Sequence, residues 1–385
     1  MPKISKVVDN AVQALSIKYN NLVYEMRQQG RDVIVLSLGE AHFDLPFYGC
    51  EDLPFPDVYH YSHSRGLIEL RQHLAKYFSD EYGMRFDPTK EIIITAGSKI
   101  AIHMAFMSIL DPGDEVVIFE PYWVSYPEQV RLCYGVPVTV PVECELAEAE
   151  RFVSKKTKCI VINNPNNPRG RAYTAKELTG LLELARKHDI YVLSDEAYSD
   201  FVVQKNDFVS IGKLDPGFKN SIVCNSISKN YGISGWRLGY VIANAELISQ
   251  ILKVNQHLIT CPATILEHYI AKHFWEIIKI TKPQIMAVLT KRQEVANYMD
   301  RIGLSYLPGD STFYFFVSIA GSALSSEDFG IRLLQENGVC VVPGIGYGAS
   351  CDRFVRVSVG KESNERIFAG LDLVKALIKA TASGS

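Results

Sequence analysis

The chain has 385 residues, 47% of them hydrophobic and 22% charged, with a formal net charge of -3. This length can bury one large core and a smaller second one, and the balanced charge, free of basic or acidic tracts, excludes a nucleic-acid footprint and a disordered tail. The start, Met-Pro-Lys-Ile-Ser-Lys, lacks the apolar stretch of a leader and no uninterrupted run reaches the length of a membrane span, so a cytoplasmic small-molecule protein with no membrane partner is expected.

The periodicity of residues 5–29 (Val7, Val8, Ala11, Leu15, Leu22, Val23, Met26) predicts one helix stopped by Gly30. Residues 33–39 read as a short strand entering a loop that carries Pro46, Pro54 and Pro56. Seven apolar runs follow, at 91–95, 115–119, 136–140, 158–162, 190–194, 221–225 and 238–242, with helix-length stretches after several of them. This alternation predicts an α/β fold with a mostly parallel seven-stranded sheet covered on both faces, a three-layer arrangement that binds ligands beyond the carboxyl ends of its strands. Residues 283–385, with apolar runs at 313–317, 339–342 and 354–359, suggest a smaller α+β domain, completed by an N-terminal segment of residues 1–47; residues 48–282 form the large domain.

The chemically suggestive residues fall just after the predicted strands. Gly97-Ser98-Lys99 opens a helix, whose free N–H groups form either an ordinary cap or a phosphate site. Trp123 stands after the run 115–119, as core or as an aromatic platform. Asn163 to Gly170 contains two Asn-Pro steps, which restrict each asparagine and stiffen a loop able to present the Asn167 amide. Asp195 ends a strand; a carboxylate there is costly unless it caps a helix or meets a cation such as a protonated heterocyclic nitrogen. Tyr198 either packs in the core or donates to an oxygen on the same ring. Arg356 lies inside an apolar strand and needs a carboxylate from the protein or from a substrate.

The segment Ser226 to Arg237 sets Lys229 among small residues and hydroxyls, with Arg237 eight positions on. An amine partly desolvated near fixed positive charge has a lowered pKa and can condense with an aldehyde cofactor, so Lys229 reads as a Schiff-base lysine, and Ser226 and Arg237 as partners of an adjacent anion. Ser226 to Lys229 also spells the Ser-x-x-Lys of serine acyl-enzymes, but no Lys-Thr-Gly occurs and Ser194-Asp195-Glu196 lies upstream without the needed Asn. Gly344 to Ala349 spells a dinucleotide fingerprint followed by a strand where a helix is required, which marks it as a decoy. The eight scattered cysteines form no Cys-x-x-Cys and look like reduced core thiols; no metal-binding spacing appears.

Taken together, Asn164-Pro165-Asn166-Asn167-Pro168-x-Gly170, Asp195-Glu196-Ala197-Tyr198 and Ser226-x-Ser228-Lys229 through Gly235-Trp236-Arg237-Leu238-Gly239-Tyr240 resemble the fold-type-I aminotransferases that use pyridoxal 5'-phosphate (PLP). The likeness runs nearly the whole chain, extended by Gly39-Glu40, Tyr61 with Gly66, Leu70-Arg71 and Pro121-Tyr122-Trp123. It implies that Lys229 holds PLP and moves the substrate α-proton, and that Asp195 keeps the pyridine nitrogen protonated. Asn167 and Tyr198 would bond the ring oxygen and Trp123 would stack on the ring. Ser98, Ser226 and Arg237 would bind phosphate beside Lys99, with Tyr61 reaching in from a second subunit of a homodimer. Arg356 and Gly39 would hold the substrate α-carboxylate.

The implied reaction is a ping-pong exchange of an amino group between an L-amino acid and a 2-oxo acid. Lys99 either receives an acidic side chain, favouring aspartate or glutamate, or only neutralises phosphate. Ala41-His42, Arg169 and His63-Ser64-Arg65 depart from the family pattern on the substrate side. The alternative they suggest is an elimination, cyclisation or oxidation of an amino acid in specialised metabolism. A PLP-sensing DNA-binding regulator is disfavoured, since no basic helical module precedes the family-like sequence.

Overall fold

The computed structural model describes residues 2–46, 48–204 and 207–382. The pattern of residues 5–29 resolves into two helices, α1 (Lys6–Asp9) and α2 (Leu15–Gln28), rather than one. Tyr19, Val23 and Met26 of α2 are buried, whereas Val8 and Val12 stand 56% and 68% exposed. Helical stability in proteins comes from packing an apolar face, and the first stretch gains no burial that would hold it in line with the second. The expected strand at 33–39 pairs only over β1 (Ile34–Val35). Beyond it the chain threads between two strands, with Leu36 N–H donating to Cys340 O at 2.9 Å and Leu36 O accepting from Ser358 N–H at 2.7 Å, and delivers Gly39 to the site.

The following elements are α3 (Ile68–Tyr82), β2 (Ile92–Thr95), α4 (Ser98–Ile109), β3 (Glu115–Phe119), α5 (Tyr126–Leu132), β4 (Val136–Val140), β5 (Thr157–Asn163), α6 (Ala175–His188), β6 (Tyr191–Asp195), α7 (Ile211–Leu214), β7 (Ser221–Ser226), α8 (Ile227–Asn230), β8 (Gly239–Ile242) and α9 (Ala245–Leu258). Their seven strands form one sheet in the order β2-β8-β7-β6-β5-β3-β4, with β8 alone antiparallel to its neighbours. Alternate residues of the strands inside the edge strand β4 enter opposite cores: Ile160, Val192 and Val223 pack on one face, Val161, Leu193 and Ile222 on the other. Strands covered on both faces must be apolar throughout, which is why the runs read as continuous instead of alternating. Each fully buried Val, Leu or Ile contributes about 1.5–3 kcal/mol.

Helix α10 (Thr264–Ile302) spans 39 residues, with Pro283 inside and non-helical backbone at His273. Its side chains through Ile278 join the large-sheet core, and those from Ile285 onward join a second core. That second core lies around β9 (Tyr314–Ser318), α11 (Ser326–Asn337), β10 (Val339–Cys340), β11 (Val342–Pro343), β12 (Phe354–Ser358) and α12 (Asn364–Ala380). Strands β11, β12 and β9 form an antiparallel sheet, and β1 pairs parallel with β10, tying the N-terminal segment to this half.

The Gly344 to Ala349 motif opens no long helix. It winds around the buried Glu120 carboxylate, which accepts from Ala349 N–H at 3.2 Å and Ser350 N–H at 2.8 Å. A Cβ at Gly348, where φ is +135°, would meet Glu120 Cδ at 2.1 Å, so this glycine serves a close internal approach.

Candidate active site

Strands β5, β6 and β7 end at Asn163, Asp195 and Ser226 on the same edge of the large sheet, where a cavity of about 440 Å³ opens. Gly39, Ser98, Lys99, Trp123, Asn167, Asp195, Tyr198, Ser226, Lys229, Arg237 and Arg356 all line it. Tyr61 does not; it stands 86% exposed on its own chain, in a loop held by Ser62 N–H to Thr264 Oγ1 at 3.1 Å and Ser62 Oγ to Glu267 Oε2 at 2.7 Å.

One end is built for an anion. Helix α4 starts there, and a helix N-terminus offers unpaired N–H groups and a positive dipole end. Arg237 converges on it from left-handed backbone, φ +56°, with Nη1 donating to Ser234 O at 2.7 Å and to Ser228 Oγ at 3.5 Å. Its guanidinium crosses directly over Gly97, where a Cβ would sit 2.4 Å from Arg237 Nη2. Lys99 Nζ lies 5.1 Å from the centre of the Trp123 ring, and desolvation, with Arg237 beside it, lowers its pKa.

Toward the other end Asp195 is buried, and among the described residues no cation lies within ion-pairing distance of it. Its Oδ2 accepts from Tyr126 OH at 2.7 Å and its Oδ1 from Ala197 N–H at 3.3 Å. Burial pushes its pKa from 3.8 up to about 6 against those two bonds and the nearby Lys229 charge. The Asn163 amide bonds the Asp195 carbonyl at 2.8 Å and takes the Asn167 N–H at 2.6 Å, so β5 and β6 hold the asparagine loop rigidly. The Asn167 amide is then fixed at both ends, donating to Tyr198 OH at 3.4 Å and accepting from Arg356 Nη1 at 3.1 Å.

Arg356 is 3% exposed; Nη2 donates to Ser37 O at 2.6 Å and the guanidinium carbon lies 4.5 Å from the Tyr314 ring centre. Its Nε has no partner, and among the described residues it has no carboxylate. A buried guanidinium left in this state is satisfied by an anion arriving in the cavity.

Lys229 stands between these groups, with Nζ donating to Gly39 O. Burial lowers its pKa from 10.5 to about 8; Glu40 opposes the fall, and Arg356 and Arg237 add to it. An amine with this pKa carries a usable lone pair near neutral pH. Since the Glu40 charge holds the ammonium form, Glu40→Gln is expected to move the Lys229 titration lower still. The pH dependence of Lys229 acylation in the cofactor-free protein checks this, and an upward or absent shift contradicts it.

Tyr126 and Tyr314 did not stand out in the sequence, and Glu40 stood out only as part of Gly39-Glu40. Glu40 accepts from Ser234 Oγ, and Tyr314 OH lies 3.0 Å from Tyr198 OH. Only the second tyrosine of Tyr122-Trp123-Val124-Ser125-Tyr126 hinted at such a role.

The sequence profile described as Aminotransferase class I and II matches residues 32–370. The chain is 32% identical over 372 residues to aromatic-amino-acid aminotransferase 2 of Thermococcus litoralis, covering 93% of this chain and 94% of that one. It is 31% identical over 389 residues to the aspartate aminotransferase of Thermotoga maritima, covering 98% and 99%. Among solved structures, the aspartate aminotransferase from Thermus thermophilus with maleate superposes with a TM-score of 0.87 at 30% identity, covering 98% of this chain and 100% of that one. With a lysine, a buried carboxylate and two arginines gathered at one sheet edge, and this likeness over nearly its whole length, the chain belongs to the class I and II aminotransferases, a family that in general depends on PLP.

Proposed function

We propose that this aminotransferase holds PLP at Lys229 and exchanges the amino group of L-aspartate or L-glutamate with a 2-oxo acid, as a cytoplasmic homodimer with shared sites. The domain divisions at residues 47 and 282 belong to the same reading. The observation that carries it is the placement of two arginines, Arg237 beside a helix N-terminus and the carboxylate-free Arg356, around one lysine of lowered pKa. The donor set suits a phosphorylated ring at one side and an α-carboxylate at the other.

When bound, the cofactor supplies an aldehyde that condenses with amines and a protonated ring that withdraws electrons from the substrate Cα. The protein residues do the rest. Ser98, Ser226 and Arg237 would bind the phosphate, the serines by hydrogen bonds and Arg237 by its charge as well. Asp195, which has no ion-paired cation among the described residues, would provide the charge that keeps the ring nitrogen protonated. Trp123 would face the ring, while Tyr198, whose burial keeps it protonated, and Asn167 would direct hydrogen bonds to the ring oxygen. Arg356 forks the α-carboxylate, and Gly39 adds a backbone contact. Lys229 Nζ would be the base that takes the proton from Cα and gives it back. The amino group is retained on the protein between the two half-reactions, so donor and acceptor use one site in turn. The exposure of Tyr61 and of Arg237 supports a second subunit covering the mouth.

The test is a single half-reaction: loaded protein is mixed with L-aspartate or L-glutamate without an acceptor. Loss of the visible cofactor band with one equivalent of the matching 2-oxo acid is expected; release of ammonia or uptake of oxygen instead would overturn it. The side-chain assignment has its own check. A charge-assisted hydrogen bond is worth about 1.5–3 kcal/mol, so Lys99→Gln is expected to raise KM for L-aspartate about 10- to 100-fold and to leave that for an uncharged amino acid unchanged. An equal rise for both would assign Lys99 to the phosphate alone.

A further inference from the structure

Behind the cavity, a second group of buried polar residues joins the two segments that carry the reactive side chains. Ser199 directly follows Tyr198, and Asn230 directly follows Lys229. Ser199 Oγ accepts from Asn230 Nδ2 at 3.0 Å and from Asn225 Nδ2 at 3.2 Å, and lies 3.0 Å from Tyr82 OH. Asn225 cannot turn its amide around, because its Oδ1 takes the Ser226 N–H at 2.6 Å.

A hydroxyl has two lone pairs and one proton. With both lone pairs of Ser199 engaged by amide donors, its proton goes to Tyr82 OH. The Tyr82 proton goes in turn to Asp200 Oδ1, while Tyr77 OH donates to Asp200 Oδ2 at 2.6 Å. With the amides in this orientation, each bond runs from the turn holding Lys229 toward Asp200. Two groups near Asp200, Lys282 and Glu81, are engaged with each other at 2.6 Å.

Stability alone is a poor reason for this arrangement. Asn230 Oδ1 is buried and has no partner among the described residues, which costs about 1–3 kcal/mol, and apolar replacement of a buried polar cluster is often neutral or stabilising. The amide is kept for the N–H it gives Ser199. Orientation is what such a directional chain supplies: it ties the Asp195 to Tyr198 segment to the α8 turn in one relative setting.

We propose that Ser199 and Asp200 are positioning residues for Lys229, acting through Asn230 and Tyr82 to fix where Nζ stands relative to Asp195 and Tyr198. The proposal rests on Lys229 being the base of the transamination, and neither residue touches substrate.

The test uses Ser199→Ala, Tyr82→Phe and the double variant in the loaded full-length protein, with L-aspartate and 2-oxoglutarate as substrates. A base misplaced by a fraction of an ångström is expected to lower kcat about 10- to 100-fold in each single variant. KM for L-aspartate is expected to stay within about twofold, because Arg356 and Lys99 are undisturbed. The pH midpoint of the visible cofactor band is expected to move in both single variants. Because both act on one chain of bonds, the double variant is expected to lose no more than the worse single. Tyr82→Phe removes one hydroxyl and keeps the ring packing, so it reports even if Ser199→Ala folds poorly. Unchanged kcat and band midpoint with only a lowered unfolding temperature, or losses that multiply in the double variant, would overturn the proposal. A wild-type protein that shows no cofactor band defeats the functional reading and this inference together, whereas a wild-type band whose midpoint the variants leave unmoved defeats this inference alone.

Discussion

Replacing Lys229 by alanine is expected to lower kcat by about 10⁴-fold or more, because one side chain both holds the aldehyde and moves the proton at Cα. No neighbour can substitute. Against its burial, the tyrosines around Arg356 raise its pKa, Tyr198 is held protonated by burial, and Lys99 is committed to the Trp123 side of the cavity. The fold should survive the change. Alanine is the best helix former and the lysine contributes an ammonium that burial disfavours, so the unfolding temperature of Lys229→Ala is expected to match or exceed that of the parent. Turnover, the visible spectrum and thermal unfolding check the three parts. Residual turnover within about 10²-fold of wild type would place the proton transfer on another group.

Asp195→Asn carries the second largest effect, and it separates function from stability. The carboxylate lies at the end of β6, bonded among the described residues by Tyr126 and Ala197, so a cationic ring nitrogen is the partner its burial calls for. Removing one member of a buried charge pair costs about 3–5 kcal/mol, equivalent to a loss of about 10²- to 10³-fold or somewhat more in kcat. In the cofactor-free protein the sign reverses. The Asp195 pKa is raised on folding from 3.8 to about 6, so the folded state binds more protons than the unfolded one in that interval. Its ionisation therefore costs nothing below about pH 4, begins to cost as pH rises, and reaches its full penalty above about pH 6, on the order of 3 kcal/mol. Asparagine has no such titration. The cofactor-free variant is expected to be more stable than wild type at pH 7 and to lose that advantage as pH falls from 6 to 4, which denaturant melts at several pH values will show. An advantage that grows with acidity instead would mean that Asp195 is stabilised as a carboxylate.

The contrast between these residues and the network behind them shows which information is local. Asp195, Asn167, Lys229 and Arg237 were legible because each lies in a short segment whose composition is unusual for a plain strand end or turn. Their partners were not. Tyr126 meets Asp195 across 69 residues of sequence, Tyr314 meets Tyr198 across 116, and Ser199 meets Tyr82 across 117. Nothing in the apolar run Phe313 to Val317 distinguishes Tyr314 from a core tyrosine, since its hydroxyl partner belongs to another part of the chain. The N-terminal pattern misled for a related reason: periodicity records which residues share a helical face, but whether that face finds a core depends on what folds against it.

By itself the sequence determined the seven apolar runs, the doubly covered α/β sheet they demand, and the identities of the lysine, the carboxylate and the two arginines, because strand burial and side-chain chemistry are properties of short segments. Only the tertiary structure decided that β8 runs antiparallel, that the helix over residues 5–29 breaks, that Gly344 to Ala349 wraps Glu120, and that Asp195 is backed by Tyr126. These are outcomes of distant segments competing for the same buried space and the same hydrogen-bonding atoms, and that competition is settled when the sheet edge closes and β5, β6 and β7 bring their ends together.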